Sequence, residues 1–269
     1  MNYKDPSLLS KIKEIITEAG KATLEIYTSS DIGLELKSDE SPLTKADQSS
    51  HNIIMEGLSG LNVQIPVISE EHKNQAFAER RDASYQWIVD PLDGTKEFVK
   101  RNGEFTINIG LLEGSEVVMG CVYIPVQDAL YWAVQGEGAY RLKDGQEVQL
   151  NAPDFSIEDT GLAVVCSRSH LNEETTAFLN RLHEAKTISF GSSLKFLKIA
   201  EGDAELYPRI APTMEWDTAA AQIILEEAGG RVVQWQSTNK VIYNKENLLN
   251  PYFVAMGKMK EELTSLWQA

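Results

Sequence analysis

Two aspartates, Asp90 and Asp93, flank a Pro-Leu pair and are followed by Gly94 and Thr95. A turn at the proline, which cannot continue a strand ladder, would bring both carboxylates to one side of the chain. Carboxylate and carbonyl oxygens are the usual ligands of Mg²⁺, with water and substrate phosphate completing the octahedron. Gly94 removes a side chain where a phosphate would approach, and Thr95 opens a short helix whose free N–H groups attract anions. The segment therefore predicts a magnesium site that holds a phosphate.

The same residues have a plainer interpretation, an Asp-Pro turn followed by a short helix that Asp93 caps. Such turns are common wherever Asp precedes Gly. This interpretation does not explain the segment from Asp90 to Thr95 as a unit, whereas the metal interpretation does. In the metal interpretation the backbone carbonyl of Leu92 is a third oxygen ligand, and we favour it.

A second acidic pair, Glu70 and Glu71, follows the apolar run at residues 65–69. Adjacent like charges at the end of a buried strand are unfavourable unless a cation lies nearby. Taken alone, the pair is typical of a solvated loop. It gains weight because a further acidic strand end, the one at Asp90, comes shortly afterwards in the chain.

Two more aspartates are candidates, and both have structural alternatives. Asp217 precedes an alanine-rich helix, where it would serve as an N-cap, or it reaches a metal from the other half of the protein; spacing alone does not decide. Asp47 lies in the first turn of a predicted helix, where an acid interacts well with the helix dipole. For Asp47 the residues by themselves favour the structural role.

The predicted elements place these acids in two halves of an α/β protein. In the first half, residues 1–152, Asp5 and Pro6 begin a helix that ends near Tyr27; the later elements are a helix at 44–58, strands at 65–69 and 85–89, a short helix at 96–100 and a meander of strands at 105–150. In the second half, residues 153–269, we expect strands at 161–166, 187–190, 205–207, 231–235 and 252–256, and helices at 172–184, 192–200, 217–228 and 258–267. Alternation of this kind is typical of α/β folds.

Composition excludes several classes of protein. The 269 residues carry a formal net charge of −15, which argues against nucleic acid or an anionic membrane as the main partner. Bound cations would reconcile that charge with a phosphate substrate. Cys121 and Cys166 each lie in an apolar run and are interpreted as buried thiols. We expect no leader peptide and no membrane span, and no zinc, Walker or dinucleotide motif is present.

Taken together, these motifs resemble the inositol monophosphatase superfamily of lithium-sensitive, magnesium-dependent phosphatases, and within it the bacterial 3′(2′),5′-bisphosphate nucleotidase branch. The resemblance covers nearly the whole chain. The motifs that carry it are Ser-Glu-Glu at 69–71, Asp-Pro-Leu-Asp-Gly-Thr-Lys-Glu-Phe at 90–98, Ser-Arg-Ser-His at 167–170, Gly-Ser-Ser-Leu-Lys-Phe at 191–196 and Trp-Asp-Thr-Ala-Ala at 216–220.

The resemblance implies a role for each acidic residue. Two or three Mg²⁺ ions are expected, the first held by Glu70, Asp90 and the Leu92 carbonyl, the second by Asp90, Asp93 and Asp217. Asp47 would orient the Thr95 hydroxyl, which together with Glu70 positions the attacking water. The backbone N–H groups of Gly94 and Thr95 would hold the phosphate.

The resemblance also implies the substrate contacts. The segment from Gly191 to Lys195, with Ser192 in it, resembles the nucleotidase substrate loop. Lys195 and Arg209 match cations that contact the second phosphate or the nucleoside, and His170 is expected to join them. Glu70, Leu92, Asp93, Gly94, Thr95 and Asp217 complete the expected substrate-binding set.

The implied fold is a layered αβαβα sandwich of two sub-domains with the active site between them. The implied activity is hydrolysis of 3′-phosphoadenosine 5′-phosphate to AMP and phosphate, a reaction of sulfur metabolism. The alternatives are an inositol or sugar-phosphate monophosphatase with the same metals and, less favoured, a non-catalytic nucleotide-binding module. The expected enzyme is cytoplasmic, monomeric or homodimeric and free of nucleic acid, and peripheral attachment to the inner membrane face is left open.

Overall fold

The computed structural model describes residues 1–36, 42–61, 65–72, 76–166 and 172–268. The Ser-Arg-Ser-His motif at 167–170, and with it His170, lies outside the described residues. Within them the α-helices are, in chain order, α1 Pro6–Thr28, α2 Lys45–Ser59, α3 Phe77–Arg80, α4 Thr95–Val99, α5 Glu173–Leu179, α6 Leu194–Ala200, α7 Ala219–Glu227 and α8 Ser265–Gln268. Two 3₁₀ turns lie at Pro125–Gln127 and Glu215–Asp217.

The strands form two main sheets and two small ones. In chain order they are β1 Glu35–Leu36, β2 Pro42–Leu43, β3 Val67–Ser69, β4 Tyr85–Asp93, β5 Thr106–Glu113, β6 Glu116–Ile124, β7 Ala129–Val134, β8 Ala139–Lys143, β9 Gln146–Gln149, β10 Asp154–Phe155, β11 Ala163–Cys166, β12 Lys186–Ser189, β13 Leu206–Arg209, β14 Arg231–Gln234, β15 Phe253–Met256 and β16 Lys258–Met259.

The first main sheet is the predicted meander. Its order is β3-β4-β5-β6-β7-β8-β9, with β3 parallel to β4 and every later pair antiparallel. The hairpin predicted at Asp144–Gly145 joins β8 to β9, and both of its residues have positive φ, of 52° and 72°, as the favoured two-residue turn requires. The second main sheet has the order β12-β11-β13-β15-β14.

The layers alternate as the resemblance implied, so the αβαβα prediction is confirmed. Helices α1 and α2 cover one face of the first sheet, α6 and α7 lie between the two sheets, and α5 and α8 cover the outer face of the second. Gly20 lets α1 approach β6, because a Cβ there would lie 2.3 Å from the Tyr123 ring. The division into 1–152 and 153–269 remains a prediction, since α7 of the second part packs directly on β6 of the first.

Several predicted elements are wrong at their ends. The expected helix at 258–267 begins instead as β16, which pairs with β10, and only Ser265–Gln268 are helical. Lys258 N and Lys260 N donate to Pro153 O and Phe155 O at 2.7 and 2.9 Å, so long-range pairing overrides local helix preference. Helix α5 ends at Leu179, well short of residue 184. In the described residues no helix is both long and apolar enough to cross a membrane.

Candidate active site

The acidic segment lies on a bulge at the end of β4. The strand does not stop before Asp90 but continues to Asp93, with Asp90 opposite Asn108 and Asp93 opposite Thr106. One extra residue on β4 therefore separates these two pairs, as in a β-bulge. The prediction that Pro91 ends the ladder is wrong, because the missing N–H falls inside the bulge, where proline is tolerated. The expectation that Asp90 and Asp93 lie on the same side of the chain still agrees with the structure, since both carboxylates line one cleft of about 310 Å³.

Local hydrogen bonds fix the bulge. The backbone N–H of Leu92 donates to Asp90 Oδ1 at 3.0 Å. The Ser50 hydroxyl of α2 donates to the Pro91 carbonyl at 2.6 Å. Each bond connects the bulge to groups that are themselves buried, so the acidic strand end is held from both its own backbone and the neighbouring helix.

Gly94 follows the bulge in a conformation that other residues rarely adopt. Its φ is +95°, and a Cβ there would lie 3.1 Å from the Glu104 carbonyl oxygen and 3.4 Å from Ser192 Cβ. Glycine is therefore required both by backbone conformation and by space. It allows α4 to begin at Thr95, within the cleft.

Asp47 serves both of the roles that the sequence left open. One oxygen, Oδ2, accepts from the backbone N–H and the hydroxyl of Thr44, each at 2.7 Å, and so completes a capping box at the start of α2. The other oxygen, Oδ1, accepts from the Thr95 hydroxyl at 3.1 Å. Burial raises the pKa of the Asp47 carboxyl, against the opposing effect of the Thr44 bonds. A helix cap thus holds the carboxylate that orients Thr95.

Asp217 reaches the cleft from the second half of the chain. It ends the 3₁₀ turn Glu215–Asp217, and its Oδ2 accepts from the Met214 backbone N–H at 2.9 Å. Helix α7 starts two residues later, after the N-cap residue Thr218. The alternative that Asp217 caps the alanine-rich helix is therefore wrong. The carboxylate stabilises its own turn while lining the cleft beside Asp93.

The loop before α6 closes on Asp93. Asp93 Oδ2 accepts from the hydroxyls of Ser192 and Ser193 at 2.7 and 2.9 Å. The Asn108 amide donates to the Ser193 hydroxyl at 3.0 Å, and the Thr106 and Ser192 hydroxyls lie 2.6 Å apart. These contacts join the loop that precedes α6 to the bulge at the end of β4.

Besides Lys96 of α4, two cations from later in the chain, Lys195 and Arg209, line the same cleft. Burial lowers the pKa of Lys195 to about 8, although the nearby Asp93 charge raises it. Its ammonium donates to the Ser192 carbonyl at 2.5 Å and lies 5.5 Å from the centre of the Tyr207 ring. Arg209 donates through Nη2 to the Pro212 carbonyl at 2.8 Å. The cleft is therefore lined by carboxylates, which we call the acidic wall (Glu70, Asp90, Asp93 and Asp217), and by cations and an aromatic ring, which we call the basic wall (Lys195, Arg209 and Tyr207).

The acidic wall is electrostatically unfavourable by itself. Burial raises the pKa of Asp90 well above its ordinary value, and the charges of Glu70, Asp93 and Asp217 raise it further. Burial likewise raises the pKa of Asp217, and the Asp93 charge adds to the effect. Shifts with these two causes, burial and like charge, are typical of functional sites.

The oxygen atoms of the acidic wall are suitable ligands for a hard cation, but in the structure they are not arranged as a complete coordination shell. Hydrogen bonds from the described residues reach Asp90 Oδ1, Asp93 Oδ2 and Asp217 Oδ2, and within this part of the chain the second oxygen of each carboxylate accepts none. All the donors are carboxylate or carbonyl oxygens, as Mg²⁺ or Ca²⁺ requires. No group of three or more His, Cys, Asp or Glu side chains among the described residues is arranged to hold a metal ion as it stands.

The cleft brings together most of the predicted site. Its lining includes Glu70, Asp90, Leu92, Asp93, Gly94, Thr95, Ser192, Lys195, Arg209 and Asp217. Asp47 lies behind Thr95 and contacts it, whereas His170 lies outside the described residues. Sequence reasoning missed Ser193, Asn108 and Tyr207. Only Ser193 gave a signal, as part of the Gly-Ser-Ser motif, because the other two are joined to the site by strand pairing alone.

Comparisons with known proteins agree with this geometry. The model of the inositol monophosphatase family matches residues 5–268. The 3′(2′),5′-bisphosphate nucleotidase CysQ of Salmonella typhimurium is 43% identical over 247 residues, covering 91% of this chain and 98% of that protein. The crystal structure of CysQ from Bacteroides thetaiotaomicron, a bacterial member of the inositol monophosphatase family, has a TM-score of 0.83 at 40% identity and covers 96% of this chain and 99% of its own.

A more distant structure shares the fold. IMPase/NADP phosphatase complexed with NADP and Ca²⁺ has a TM-score of 0.79 at 18% identity, covering 96% of this chain and 93% of that one. The complex shows that a protein of this fold binds a hard divalent cation. At that identity the likeness to this chain is one of fold alone.

Proposed function

We propose that this chain, which belongs to the inositol monophosphatase family, is a metal-dependent phosphomonoesterase that acts as a 3′(2′),5′-bisphosphate nucleotidase. Its substrate is 3′-phosphoadenosine 5′-phosphate, and its products are AMP and phosphate. The observation that carries the proposal is the cleft itself, whose lining combines repelling carboxylates with Lys195 and Arg209. The carboxylates support metal-assisted chemistry at one phosphate, and the two cations suit a second.

The metal in this proposal is Mg²⁺. Glu70, Asp90 and the Leu92 carbonyl would hold one ion, and Asp90, Asp93 and Asp217 would hold another. When bound, Mg²⁺ supplies Lewis acidity and neutralises charge at the phosphoryl group. The raised pKa values of Asp90 and Asp217 support this assignment, because a cation would relieve the repulsion that raises them.

Thr95 and Asp47 orient the attacking water. Asp47 Oδ1 accepts a hydrogen bond from the Thr95 hydroxyl at 3.1 Å. Because the hydroxyl hydrogen is used in this bond, the Thr95 oxygen can itself accept a hydrogen bond from a ligand in the cleft. A water that donates to this oxygen is held with its own lone pair free for attack. Glu70 lines the same cleft and accepts the second water proton as the water oxygen bonds to phosphorus. The ester P–O bond breaks in the same displacement, and the departing ester oxygen takes a proton from solvent.

Backbone groups at the start of α4 hold the phosphate. The first N–H groups of a helix have no intrahelical partner, and Gly94 and Thr95, at the start of α4, both line the cleft. Because φ of Gly94 is +95°, the turn presents its amide without a side chain in the way. Transfer of a phosphoryl group needs mainly such positioning and charge neutralisation.

The second phosphate lies between Lys195 and Arg209. Lys195, with its pKa lowered to about 8 by burial, is mostly protonated at neutral pH. Arg209 lines the same cleft, and its guanidinium suits a phosphate in both charge and geometry. A substrate with a single phosphate has no second phosphate to pair with Lys195 and Arg209. We therefore expect the enzyme to prefer bisphosphorylated nucleotides.

A phosphate-release panel tests the proposal. Purified protein is assayed with 3′-phosphoadenosine 5′-phosphate, inositol monophosphate and fructose 1,6-bisphosphate, each with and without Mg²⁺. We expect the bisphosphorylated nucleotide to have the highest kcat/KM and turnover to need Mg²⁺. Faster hydrolysis of inositol monophosphate would refute the substrate, and turnover that is unchanged by chelation would refute the metal.

The proposal includes a setting for the enzyme. A net charge of −15 favours a small-molecule substrate over nucleic acid, because a surface of that sign repels polyanions. We place the enzyme in the cytoplasm as a monomer or homodimer. Sedimentation of the purified protein measures the oligomeric state directly.

A further inference from the structure

A loop that does not line the cleft, residues 244–246, is held between a buried anion and a buried cation. We call these three residues the clamp loop. The anion is Glu215, whose side chain is fully buried, and the cation is Arg80, which is 2% exposed. Neither residue lines the cleft, and neither has a part in the proposed chemistry.

Glu215 binds the clamp loop through both carboxylate oxygens. Oε2 accepts from the Asn244 backbone N–H at 2.6 Å. Oε1 accepts from the Lys245 backbone N–H at 3.1 Å and from the Lys245 ammonium. A buried carboxylate without hydrogen-bond donors would be strongly unfavourable. The clamp loop supplies three donors to Glu215, so the loop and the carboxylate hold each other in place.

Arg80 binds the same loop from the other side. Its Nη1 donates to Asn244 Oδ1 at 2.6 Å, and its Nη2 donates to the carbonyls of Lys245 and Glu246 at 2.8 and 3.3 Å. Asn244 returns a bond through Nδ2 to the Arg80 carbonyl at 3.4 Å. The planar guanidinium thus spans three acceptors of one loop, which a lysine cannot do.

The clamp loop connects the two halves of the acidic wall. Arg80 ends α3, on the segment that leads away from Glu70 in the first half. Glu215 begins the 3₁₀ turn that ends at Asp217 in the second half, and that turn packs on β4 and β5. Glu70 and Asp217 come from segments that the clamp loop ties together.

We infer that Glu215, Arg80 and Lys245 are positioning residues that set the spacing of Asp217 from the ligands of the first half, and so set the affinity of the cleft for Mg²⁺. The inference rests on the proposed function. The 3₁₀ turn that carries Asp217 packs on β4, so the position of this turn controls how readily its carboxylate and those of β4 reach one ion. A rigid mount for that turn lowers the entropy lost when the ligands close.

The test measures Mg²⁺ binding without turnover. The melting temperature of substrate-free protein is followed in a MgCl₂ titration, because a ligand that binds only the folded state raises it in proportion to RT ln(1 + [L]/Kd). The variants are Glu215→Gln, Arg80→Lys and Lys245→Gln. Arg81→Lys is the matched control, since Arg81 is the exposed neighbour of Arg80 and pairs with Asp82 at 3.0 Å.

We expect Kd for Mg²⁺ to rise about tenfold in Glu215→Gln and in Arg80→Lys, and roughly threefold in Lys245→Gln, which is the scale of coupling found for residues that act through others. The Mg²⁺ concentration for half-maximal turnover should rise by the same factors, and excess Mg²⁺ should restore kcat. A residue with only a structural role would lower the melting temperature of the metal-free protein and leave the Mg²⁺ titration unchanged.

The outcomes separate this inference from the proposed function. Folded variants that bind Mg²⁺ as tightly as the wild-type protein would overturn the inference while leaving the enzyme in place. A wild-type protein that binds no Mg²⁺ would overturn both. If Glu215→Gln does not fold, Arg80→Lys and Lys245→Gln decide the question, because each keeps the buried carboxylate and its two backbone donors.

Discussion

Helix α6 carries one lysine to each of two acidic clusters, and the two lysines differ in what they contact. Lys198 forms ion pairs with Glu201 and Asp203 at 2.8 and 2.9 Å. Lys195, one turn earlier, faces the cleft but donates to the backbone carbonyls of Phe190 and Ser192. The ion pairs raise the pKa of Lys198, whereas burial lowers that of Lys195.

The cluster around Glu201 is neutralised by the chain itself. The Glu201 carboxylate accepts from Tyr131 Oη at 2.8 Å, Arg141 Nη1 at 2.5 Å and Lys198 Nζ at 2.8 Å. Burial by itself would raise the pKa of Glu201, but these three partners outweigh it and hold the pKa below the ordinary value. A carboxylate with such partners needs no ligand.

The acidic wall of the cleft is the opposite case. Asp90 is buried and Asp217 is half-buried beside other carboxylates, the pKa values of both are raised, and the nearby Lys195 donates to backbone carbonyls. The chain thus supplies cations to one acid cluster and leaves the other to be neutralised from outside. This contrast distinguishes a structural acid from a ligand-binding acid more clearly than burial does, because Glu201 and Asp217 are both half-buried.

The strongest test of the contrast is Asp217→Asn. We expect kcat/KM for the bisphosphorylated nucleotide to fall roughly 10³-fold, since a metal-held charge contributes several kcal/mol at the transition state and about 1.4 kcal/mol is a factor of ten. Asparagine is nearly isosteric and its side-chain oxygen can still accept the Met214 N–H bond. The far-UV circular dichroism spectrum of the variant should therefore match that of the wild-type protein. The melting temperature of the metal-free variant should be slightly higher, because repulsion between carboxylates is removed.

Asp203→Asn is the matched control, because Asp203 is an exposed carboxylate paired with Lys198. It should leave turnover unchanged. An Asp217→Asn protein with near-normal turnover would mean that the carboxylate only stabilises its turn, and the contrast between the clusters would lose its functional meaning.

Lys195→Gln tests the basic wall and comes next in size. Loss of a charge-assisted hydrogen bond costs about 2 kcal/mol, so kcat/KM for the bisphosphorylated nucleotide should fall about thirtyfold. Hydrolysis of a monophosphate ester should change little. Lys198→Gln, on the same helix, is the control and should leave both activities intact. Equal losses on the two substrates would show that Lys195 acts on the first phosphate instead of the second.

Glu201→Gln should change stability and spare catalysis. Removing one partner of a buried ion pair costs several kcal/mol when both groups are fully buried. Arg141 and Lys198 are 30% and 27% exposed, so solvent screening reduces the expected loss to about 1.5 kcal/mol. Urea unfolding of the metal-free protein measures it, and kcat per folded molecule should be unchanged. A loss of turnover without a loss of stability would contradict the structural role of this cluster.

The sequence predicts one of these clusters well and the other not at all. The acidic wall was found because its members sit in compact motifs at strand ends, and Asp90, Asp93 and Asp217 do line one cleft. The local structures that hold these residues were not predicted. The bulge at Pro91 depends on pairing with β5, and the 3₁₀ turn that ends at Asp217 packs against β4. Both are long-range effects that local preferences cannot contain.

The Glu201 cluster had no sequence signal. Tyr131, Arg141 and Lys198 are unremarkable residues on a strand, the next strand and a helix of the other half. The clamp loop was missed for the same reason, since Arg80 and Asn244 are 164 residues apart in sequence and meet only in the folded chain. Motif reading finds groups that are close in sequence or shared with a family, whereas interactions between distant single residues require the fold.

The two clusters should also give the metal-free protein opposite pH dependences. The folded pKa of Asp217 is raised above its unfolded value, so its contribution to stability is fully present below about pH 4 and is lost as pH rises through the raised value. The folded pKa of Glu201 is lowered, so its contribution is present above about pH 4.3 and is lost as pH falls through the lowered value.

The measurement is the free energy of unfolding of metal-free wild-type, Asp217→Asn and Glu201→Gln proteins between pH 3 and pH 9. One fully shifted proton changes that energy by at most about 1.4 kcal/mol per pH unit, and roughly a third of this is expected because neighbouring acids share the proton. Asp217→Asn should flatten the fall in stability toward alkaline pH, and Glu201→Gln the fall toward acid pH. Added Mg²⁺ should cancel only the alkaline slope, because it neutralises only the cluster that the chain leaves charged; a Mg²⁺ effect on both slopes would mean that the two clusters are not electrostatically independent.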